Sequence, residues 1–349
     1  MFRAQPLPAQ TSRTFHHRES FSATWSITVE LLESGSRPKL IVTDDSLGAR
    51  NNFDGRLLMT TPMKYPALYA VADRASARQQ SLYLGLVLAE YASLVMVAVL
   101  SVNMIADSRY IFAYGLLLAL ALAMLVLRSI LKPERRWYQA RALAESVKTT
   151  AWKFAMGARP FQEDADARQY MRQMLQELLK ANHSLGSQFD GKTSGGDQIT
   201  SEMETIRTLS RSERLAIYMH DRVEDQLGWY SRESKANANT GRNFAIGLGG
   251  IYVAAFVIFL VRICQPAWIY VHPDPIILLG ASALGWMQIK RFNELGASYA
   301  LTANEIGILK SRAPEIVDDE ALSLFIDDAE EAFSREHTQW LARRSALAQ

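Results

Sequence analysis

Apolar residues are unevenly distributed along this chain. They crowd into residues 81–131 and 243–289, whereas 132–242 and 292–349 read as charged, amphipathic helices. Four stretches have the length of a membrane-spanning helix: Leu82 to Ile105, Ile111 to Leu131, Phe244 to Cys264 and Trp268 to Ile289. The criterion is that roughly 17 to 25 residues, rising about 1.5 Å each, cross a hydrocarbon core. The second contains FAYGLLLALALAMLVL, a run with no charge. The fourth is interrupted by His272, Pro273, Asp274 and Pro275, which leaves IILLGASALGWMQI as its apolar part and WIYV before it as an interfacial anchor. The short turns ADSRY and QPAWIYVHPD join the spans in pairs. The pattern therefore predicts an all-α membrane protein with four transmembrane helices in two hairpins, connected and followed by long helices outside the bilayer.

Two further segments break the helical pattern. WSITVELLESGSRPKLIVTDD alternates apolar and polar residues about a Gly-Ser turn, as in a small β-hairpin, although a disordered extension fits residues 1–61 equally well. NHSLGSQFDGKTSGGDQI, residues 182–199, is a polar, glycine-rich interruption. It reads as a linker between a first unit at 62–181 and a second at 200–349.

Cations fix the expected orientation. Lys64, Arg74 and Arg78 precede the first span, and Arg128, Lys132, Arg135, Arg136 and Arg141 follow the second; Arg232, Lys235 and Arg242 precede the third, and Lys290 and Arg291 follow the fourth. The connecting turns carry only Arg109, with Arg262 just inside the third span. By the positive-inside rule both termini and the long middle segment are cytoplasmic. The N-terminal MFRAQPLPAQTSRTFHH has no apolar core of a secretory signal, so the first span would direct its own insertion.

Composition narrows the chemistry. A formal net charge of +2 offers no basic excess for nucleic acid. The single cysteine, Cys264, excludes an intrachain disulfide and a thiolate-rich metal site. His16, His17, His183, His220, His272 and His337 show no ligand spacing, and no nucleophile elbow is present, so neither a cofactor nor an enzyme is indicated. His337, with Glu336 beside it, belongs to a helix whose apolar face is Phe325, Ala329, Phe333 and Trp340. GSQFDGKT, Gly186 to Thr193, matches the spacing of a phosphate-binding loop. That loop requires a strand before it and a helix directly after Lys-Thr; here a helical segment precedes and Ser-Gly-Gly follows.

Within the spans, Glu90 shares one helical face with Ser93, Val97 and Ser101, the polar stripe of the first hairpin. An ionisable group there marks a candidate ion pathway, and a ring of such carboxylates would favour cations. The competing reading places Glu90 near the cytoplasmic end of its span, protonated or paired with Arg74, Arg78 or a tyrosine. The third and fourth spans offer Gly247, Gly249, Gly250, Gly280 and Gly285, small residues that let helices approach closely. Four spans seldom enclose an aqueous pore, so conduction requires a homo-oligomer.

The chain also repeats itself. ADRASARQQSLY, with Asp73, Arg74, Gln79 and Tyr83, precedes the first hairpin; HDRVEDQLGWY, with Asp221, Arg222, Gln226, Trp229 and Tyr230, precedes the second. After the first hairpin, WYQARALAESVKTTAWKFAMGARPF places Trp137, Arg141, Glu145, Lys148 and Trp152 within about 80° of one helical face. Two tryptophans beside these charges indicate partial burial against another helix. FIDDAEEAFSREHTQWLARR, carrying Arg335, Glu336 and Trp340, closes the second unit.

These segments resemble the SLATT family, two-helix membrane effector domains associated with bacterial nucleotide-signalling and SLOG conflict systems, here as two units in tandem over most of residues 62–345. The resemblance implies an antiphage effector that forms a pore or perturbs the membrane on a nucleotide or related signal. Since no sensor domain is visible, the trigger would come from a partner or from the cytoplasmic helices themselves. The residue pattern leaves open a non-conducting scaffold that recruits a cytoplasmic partner, and a small transporter with its substrate site in broken helices.

Overall fold

A computed structural model describes residues 25–30, 39–44, 62–102, 108–189, 195–268 and 272–347, with side chains between 62 and 334. In the N-terminal extension, β1 (Trp25–Glu30) pairs antiparallel with β2 (Lys39–Asp44), Trp25 opposite Asp44 and Glu30 opposite Lys39. This is the hairpin expected from alternation; its turn lies outside the described residues. From residue 62 onward the described chain is helical.

The first hairpin consists of α1 (Ala67–Ser101) and α2 (Ser108–Leu131), followed by α3 (Pro133–Met156) and α4 (Asp164–Ala181). After α5 (Ser201–Arg207) come α6 (Arg211–Tyr218), a π-helical turn at Met219–Glu224, and α7 (Asp225–Cys264). These last three form one 54-residue helix, Arg211–Cys264. At about 1.5 Å per residue it is roughly 80 Å long, far more than a hydrocarbon core of about 30 Å requires. α8 (Asp274–Lys290), α9 (Phe292–Ser311) and α10 (Asp319–Leu347) complete the chain.

Among the described residues three helices are long and apolar enough to cross a membrane: α1, α2 and Arg211–Cys264. The chain is thus an all-helical, membrane-type protein apart from its N-terminal strand pair. In the most apolar stretches of α2 and of Arg211–Cys264 only 6% of residues are buried, so these surfaces are covered by no protein core. The expected fourth span is corrected. Its helix begins at Asp274 instead of Trp268 and has 17 residues, shorter than the other three. The reason is local: Pro273 caps the helix and Pro275 occupies its first turn, where a missing N–H costs nothing, whereas farther inside a helix it would break the ladder.

The two hairpins meet through α1 and α8. A β-carbon at Gly285 would lie 2.6 Å from the Tyr91 hydroxyl, and one at Gly280 would lie 2.9 Å from the Tyr252 ring; here the glycines do provide close helix approach. The connections out of the two helical hairpins repeat the same geometry. Lys132 (φ 45°, ψ 49°) and Arg291 (φ 52°, ψ 39°) are both left-handed, the first between α2 and α3, the second between α8 and α9. Lys132 N–H donates to Arg128 O at 3.0 Å and Arg291 N–H to Met287 O at 2.8 Å, each closing the preceding helix. A left-handed non-glycine residue costs roughly 1–2 kcal/mol, so its recurrence at the same junction is a structural signature of duplication.

Counted from Lys132 and Arg291, α3 and α9 align, with Val147 and Ile306 both fully buried. The paired tyrosines of the sequence repeat are not equivalent in space. Tyr83 contacts Trp137, five residues after Lys132, whereas Tyr230 contacts Tyr299, eight residues after Arg291. The difference is about one helical turn.

The described residues of the segment 182–199 are more structured than a linker. His183–Gln188 is a 3-10 helix with Leu185 buried, and Asp197 O accepts from Ala67 N–H at 2.9 Å while Gln198 Oε1 accepts from Leu68 N–H at 3.2 Å. Helix starts leave N–H groups without intrahelical partners; α1 has no side-chain cap and receives these acceptors from distant chain instead. Thr200 donates to Lys64 O at 2.9 Å and caps α5 by accepting from Met203 N–H at 3.3 Å.

α9 approaches α7 closely at Gly296, where a β-carbon would meet Ala238 N at 3.2 Å and Ser234 O at 3.4 Å. Gly296→Leu is therefore expected to lower the unfolding midpoint in detergent, overpacking costing about 1–3 kcal/mol. Gly247→Leu, where there is open space, should leave it nearly unchanged. Equal midpoints for both variants would contradict the close α7–α9 contact.

Candidate functional site

The most deeply buried charges lie where the two repeats join. Arg222, in the π turn, and Glu330, on α10, are 1% and 0% exposed. Arg222 donates from Nε to Oε1 at 2.8 Å and from Nη2 to Oε2 at 2.7 Å. Tyr218 donates to the same Oε1 at 3.0 Å, and Thr149 of α3 donates to Oε2 at 2.7 Å. The carboxylate thus accepts four hydrogen bonds, from α6, the π turn and α3. Arg222 Nη1 has no hydrogen-bond partner, and its guanidinium carbon lies 4.8 Å from the centre of the Phe333 ring. A π turn adds a residue to the helical turn and is often found where function demands a particular side-chain position.

Around this pair the aromatic groups form a collar. Trp152 is buried, donates from Nε1 to the Tyr65 hydroxyl at 3.1 Å and stands edge-on to Tyr218 at 5.5 Å. Lys148 Nζ lies 5.6 Å from the centre of the Tyr65 ring. Burial, then repulsion from Arg222, lowers the Lys148 pKa below its ordinary value, against attraction from Glu145 and Glu330. Burial pushes the Tyr65 hydroxyl up to about 12, opposed by Arg222. Burial and the Glu330 charge raise Tyr218 well above its usual range. For Arg222 burial works against the charge, but attraction to Glu330 outweighs it and the guanidinium is held protonated more firmly than usual.

The sequence-predicted charged stripe is partly assembled into this site. Trp152 and Lys148 belong to it, while Arg141 pairs with Glu145 at 2.8 Å and approaches Asp73 at 3.7 Å on the half-exposed side of α3. Trp137 stacks on Tyr138 at 4.4 Å, away from the buried pair. In the second repeat Arg222 is central, Gln226 bonds Asp225 at the surface, and Trp229 and Tyr230 pack on Tyr299. Arg335, Glu336 and Trp340 lie in α10, with side chains outside the described residues. Phe325, Ala329 and Phe333 form the expected buried face. Thr149, Tyr65, Tyr218 and above all Glu330 were missed. The available signal was spacing, because Glu330 falls four residues after Ile326 and three before Phe333, on the apolar side of an otherwise acidic run.

In the membrane hairpin, Glu90 Oε2 faces Arg128 Nη2 of α2 at 3.2 Å, an ion pair without hydrogen-bond alignment. Arg128 was not among the expected partners. It stands one turn before Lys132, which puts the pair toward the end of the span that leads into α3. Ser93 is buried and donates to Ala89 O at 2.7 Å, Val97 is buried, and exposed Ser101 donates to Ala98 O at 2.8 Å. Among the described residues no cluster of three or more His, Cys, Asp or Glu side chains could hold a metal ion. The phosphate-loop-like segment follows helix α4 and a 3-10 helix, and its Lys192 and Thr193 lie outside the described residues.

Two variants test the buried site. Glu330→Gln leaves Arg222 without its counter-charge, and breaking a buried pair costs about 3–5 kcal/mol. A marked fall in unfolding midpoint is expected, largely recovered when Arg222→Met is combined with Glu330→Leu. A double variant as unstable as the single one would show that the ion pair is not the strained element.

Lys148→Met should act oppositely. A lysine whose folded pKa is depressed gains stability from folding only above its ordinary value of 10.5, and loses it as pH falls through the folded pKa. At pH 7 the buried ammonium is therefore a cost. The methionine variant should unfold at a higher temperature, with the gain shrinking as pH rises toward 10.5; a gain that grows with pH would contradict this assignment.

Comparison with known families accounts for the repeated architecture. The family model described as SMODS and SLOG-associating 2TM effector domain 3 matches residues 66–215, and that for SMODS and SLOG-associating 2TM effector domain 1 matches 218–340. The matches meet at residues 216–217 within α6, just before the π turn, and residues 182–199 fall within the first. No curated protein and no solved structure gives a significant match. With two helical hairpin repeats, each entering its flanking helix through a left-handed cation and each matched by such a model, the chain belongs to the SLATT family of membrane effector domains, carrying two of them in tandem.

Proposed function

We propose that this chain is a bacterial membrane effector of a conflict or antiphage system, which assembles into an ion-conducting oligomer gated by its flanking helices and catalyses no reaction. One observation carries the reading: apolar membrane helices run without a break into the bundle that holds Arg222 and Glu330. A helix transmits displacement along its axis because every turn is hydrogen-bonded to the next. Any shift of the π turn is therefore delivered to the membrane end of α7, and a shift of α3 reaches α2 through Lys132.

In this reading α8 is the fourth span despite its length. Its 17 residues reach about 25 Å, near the lower limit for crossing a bilayer. The cations beside the spans support a topology with both termini and the flanking helices in the cytoplasm, and in this reading the spans lie in the inner membrane. Glu90 and Arg128 stand at the cytoplasmic mouth; separating them would expose the carboxylate to an ion path. The trigger would be a nucleotide or a sensor protein acting on the cytoplasmic bundle. A non-conducting scaffold draws support from the burial of Ser93 and Val97 inside a single chain.

Purified full-length protein in liposomes should dissipate a cation gradient, and Glu90→Gln should shift the reversal potential toward lower cation preference. A membrane that remains tight, together with unchanged membrane potential in expressing cells, would leave the scaffold as the surviving reading.

A further inference from the structure

α9 carries a bare face with the spacing of a coiled-coil seam. Ala297, Leu301, Asn304, Ile308 and Ser311 follow at intervals of four, three, four and three residues, and all five are exposed. Leu301 and Ile308 are 64% and 68% exposed, large values for aliphatic side chains one heptad apart. Such spacing aligns side chains for knobs-into-holes packing, and a lone asparagine within an apolar seam sets register. The Asn304 amide donates only to Ala300 O of its own helix, at 2.8 Å. Open space surrounds Gly307, so a second helix could approach closely. The α9 ridge is flanked by grooves against α7 and against α10, with Ile308 lining both.

The first repeat identifies what should cover this face. Alignment through Lys132 and Arg291 sets Glu145, Thr149 and Trp152 of α3 opposite Asn304, Ile308 and Ser311. None of those three is exposed: Trp152 is buried against Tyr218, and Thr149 bonds Glu330. At Thr149 and Trp152 the first repeat's face is covered by the other SLATT repeat of the same chain, while Glu145 pairs with Arg141 of its own helix. Among the described residues no further SLATT repeat stands against the equivalent face of α9, so a second copy of the chain is the source of an equivalent surface.

We infer that α9 is the self-association surface, pairing with α9 of a second copy in parallel and in register through Leu301, Asn304 and Ile308. The parallel arrangement rests on the membrane-spanning reading above. Copies inserted with one orientation present α9 pointing the same way, and a two-fold axis along the membrane normal then brings equal heptad positions together. Such pairing takes Leu301 and Ile308 out of water and faces the two Asn304 amides toward each other.

The test uses full-length protein in native membranes, with Cys264→Ser removing the natural thiol. Leu301→Cys and Ile308→Cys should each form dimers with a short bis-maleimide, while Glu177→Cys on the exposed side of α4 should not. Adding Ile308→Glu to Leu301→Cys should reduce the dimer by at least about tenfold. Its unfolding midpoint should remain unchanged, because Ile308 packs little within its own chain. Absence of dimer at both seam positions, dimer at Glu177 alone, or dimer indifferent to Ile308→Glu would each overturn the assignment. Alkaline-carbonate extraction reports membrane insertion, and liposome flux reports conduction. Loss of the seam dimer with both intact would refute only the surface.

Discussion

Charge withdrawn from water must keep its partner, and that constraint governs the junction between the repeats. Arg222 and Glu330 are both almost wholly buried, so the carboxylate needs the guanidinium, Tyr218 and Thr149 together. These donors come from α3 and from the continuous helix that holds α6 and the π turn, and the network is satisfied at the carboxylate only when α3, α6 and α10 occupy one mutual position. Buried ion pairs often add little net stability, because desolvation offsets attraction, but they penalise misplacement heavily. Here the penalty falls on any relative movement of the first and second repeats. Arg222 Nη1, without a hydrogen-bond partner, is the residual imperfection, met only by the face of Phe333.

The membrane helices inherit that position. α2 and α3 are joined by one left-handed residue, as are α8 and α9, so neither junction has a flexible loop in which motion could be absorbed. The cost of the left-handed geometry is borne twice, each time by a cation whose N–H closes the preceding turn. A cation at this point has a second use, since it lies where an apolar helix gives way to a polar one. Arg128, one turn earlier, turns toward Glu90 instead of solvent, which neutralises a carboxylate that would be expensive alone in an apolar surround.

Much of this was readable from residue pattern. Hydropathy located the first hairpin and the apolar part of α7 because the bilayer imposes length, and alternation located the strand pair. Burial of Trp152 followed from two aromatics sharing a face with charges. The failures have specific causes. The fourth span was set too early because Trp268 to Val271 is apolar, whereas Pro273 and Pro275 decide where the ladder can begin. Residues 182–199 look like a linker by composition, yet Asp197 and Gln198 supply acceptors to the start of α1, a long-range pairing without local signature. Glu330 was hidden among Asp327, Asp328 and Glu331, because composition reveals an acidic run and only helical phase reveals its inward member. Arg128 was overlooked as a partner for Glu90 because the positive-inside rule had already given it a role.

Duplication does not make the repeats equal, and the inequality follows from connectivity. Two repeats in one chain form a single junction, which places α6, the π turn and α10 of the second against α3 of the first. The first repeat's α3 is therefore packed against the second repeat, while among the described residues no equivalent partner packs on the exposed face of α9. Its third helix diverges accordingly. Where α3 presents Glu145, Lys148, Thr149 and Trp152 to partners within the molecule, the corresponding stretch of α9 reads Asn304, Gly307, Ile308 and Ser311. Charges that need an internal counterpart have been replaced by small residues, an amide and one exposed isoleucine. That substitution is stable in water only as a compromise, since Ile308 loses the gain of burial that Val147 and Ile306 enjoy. A surface so composed is adapted to a helix that arrives from outside the chain.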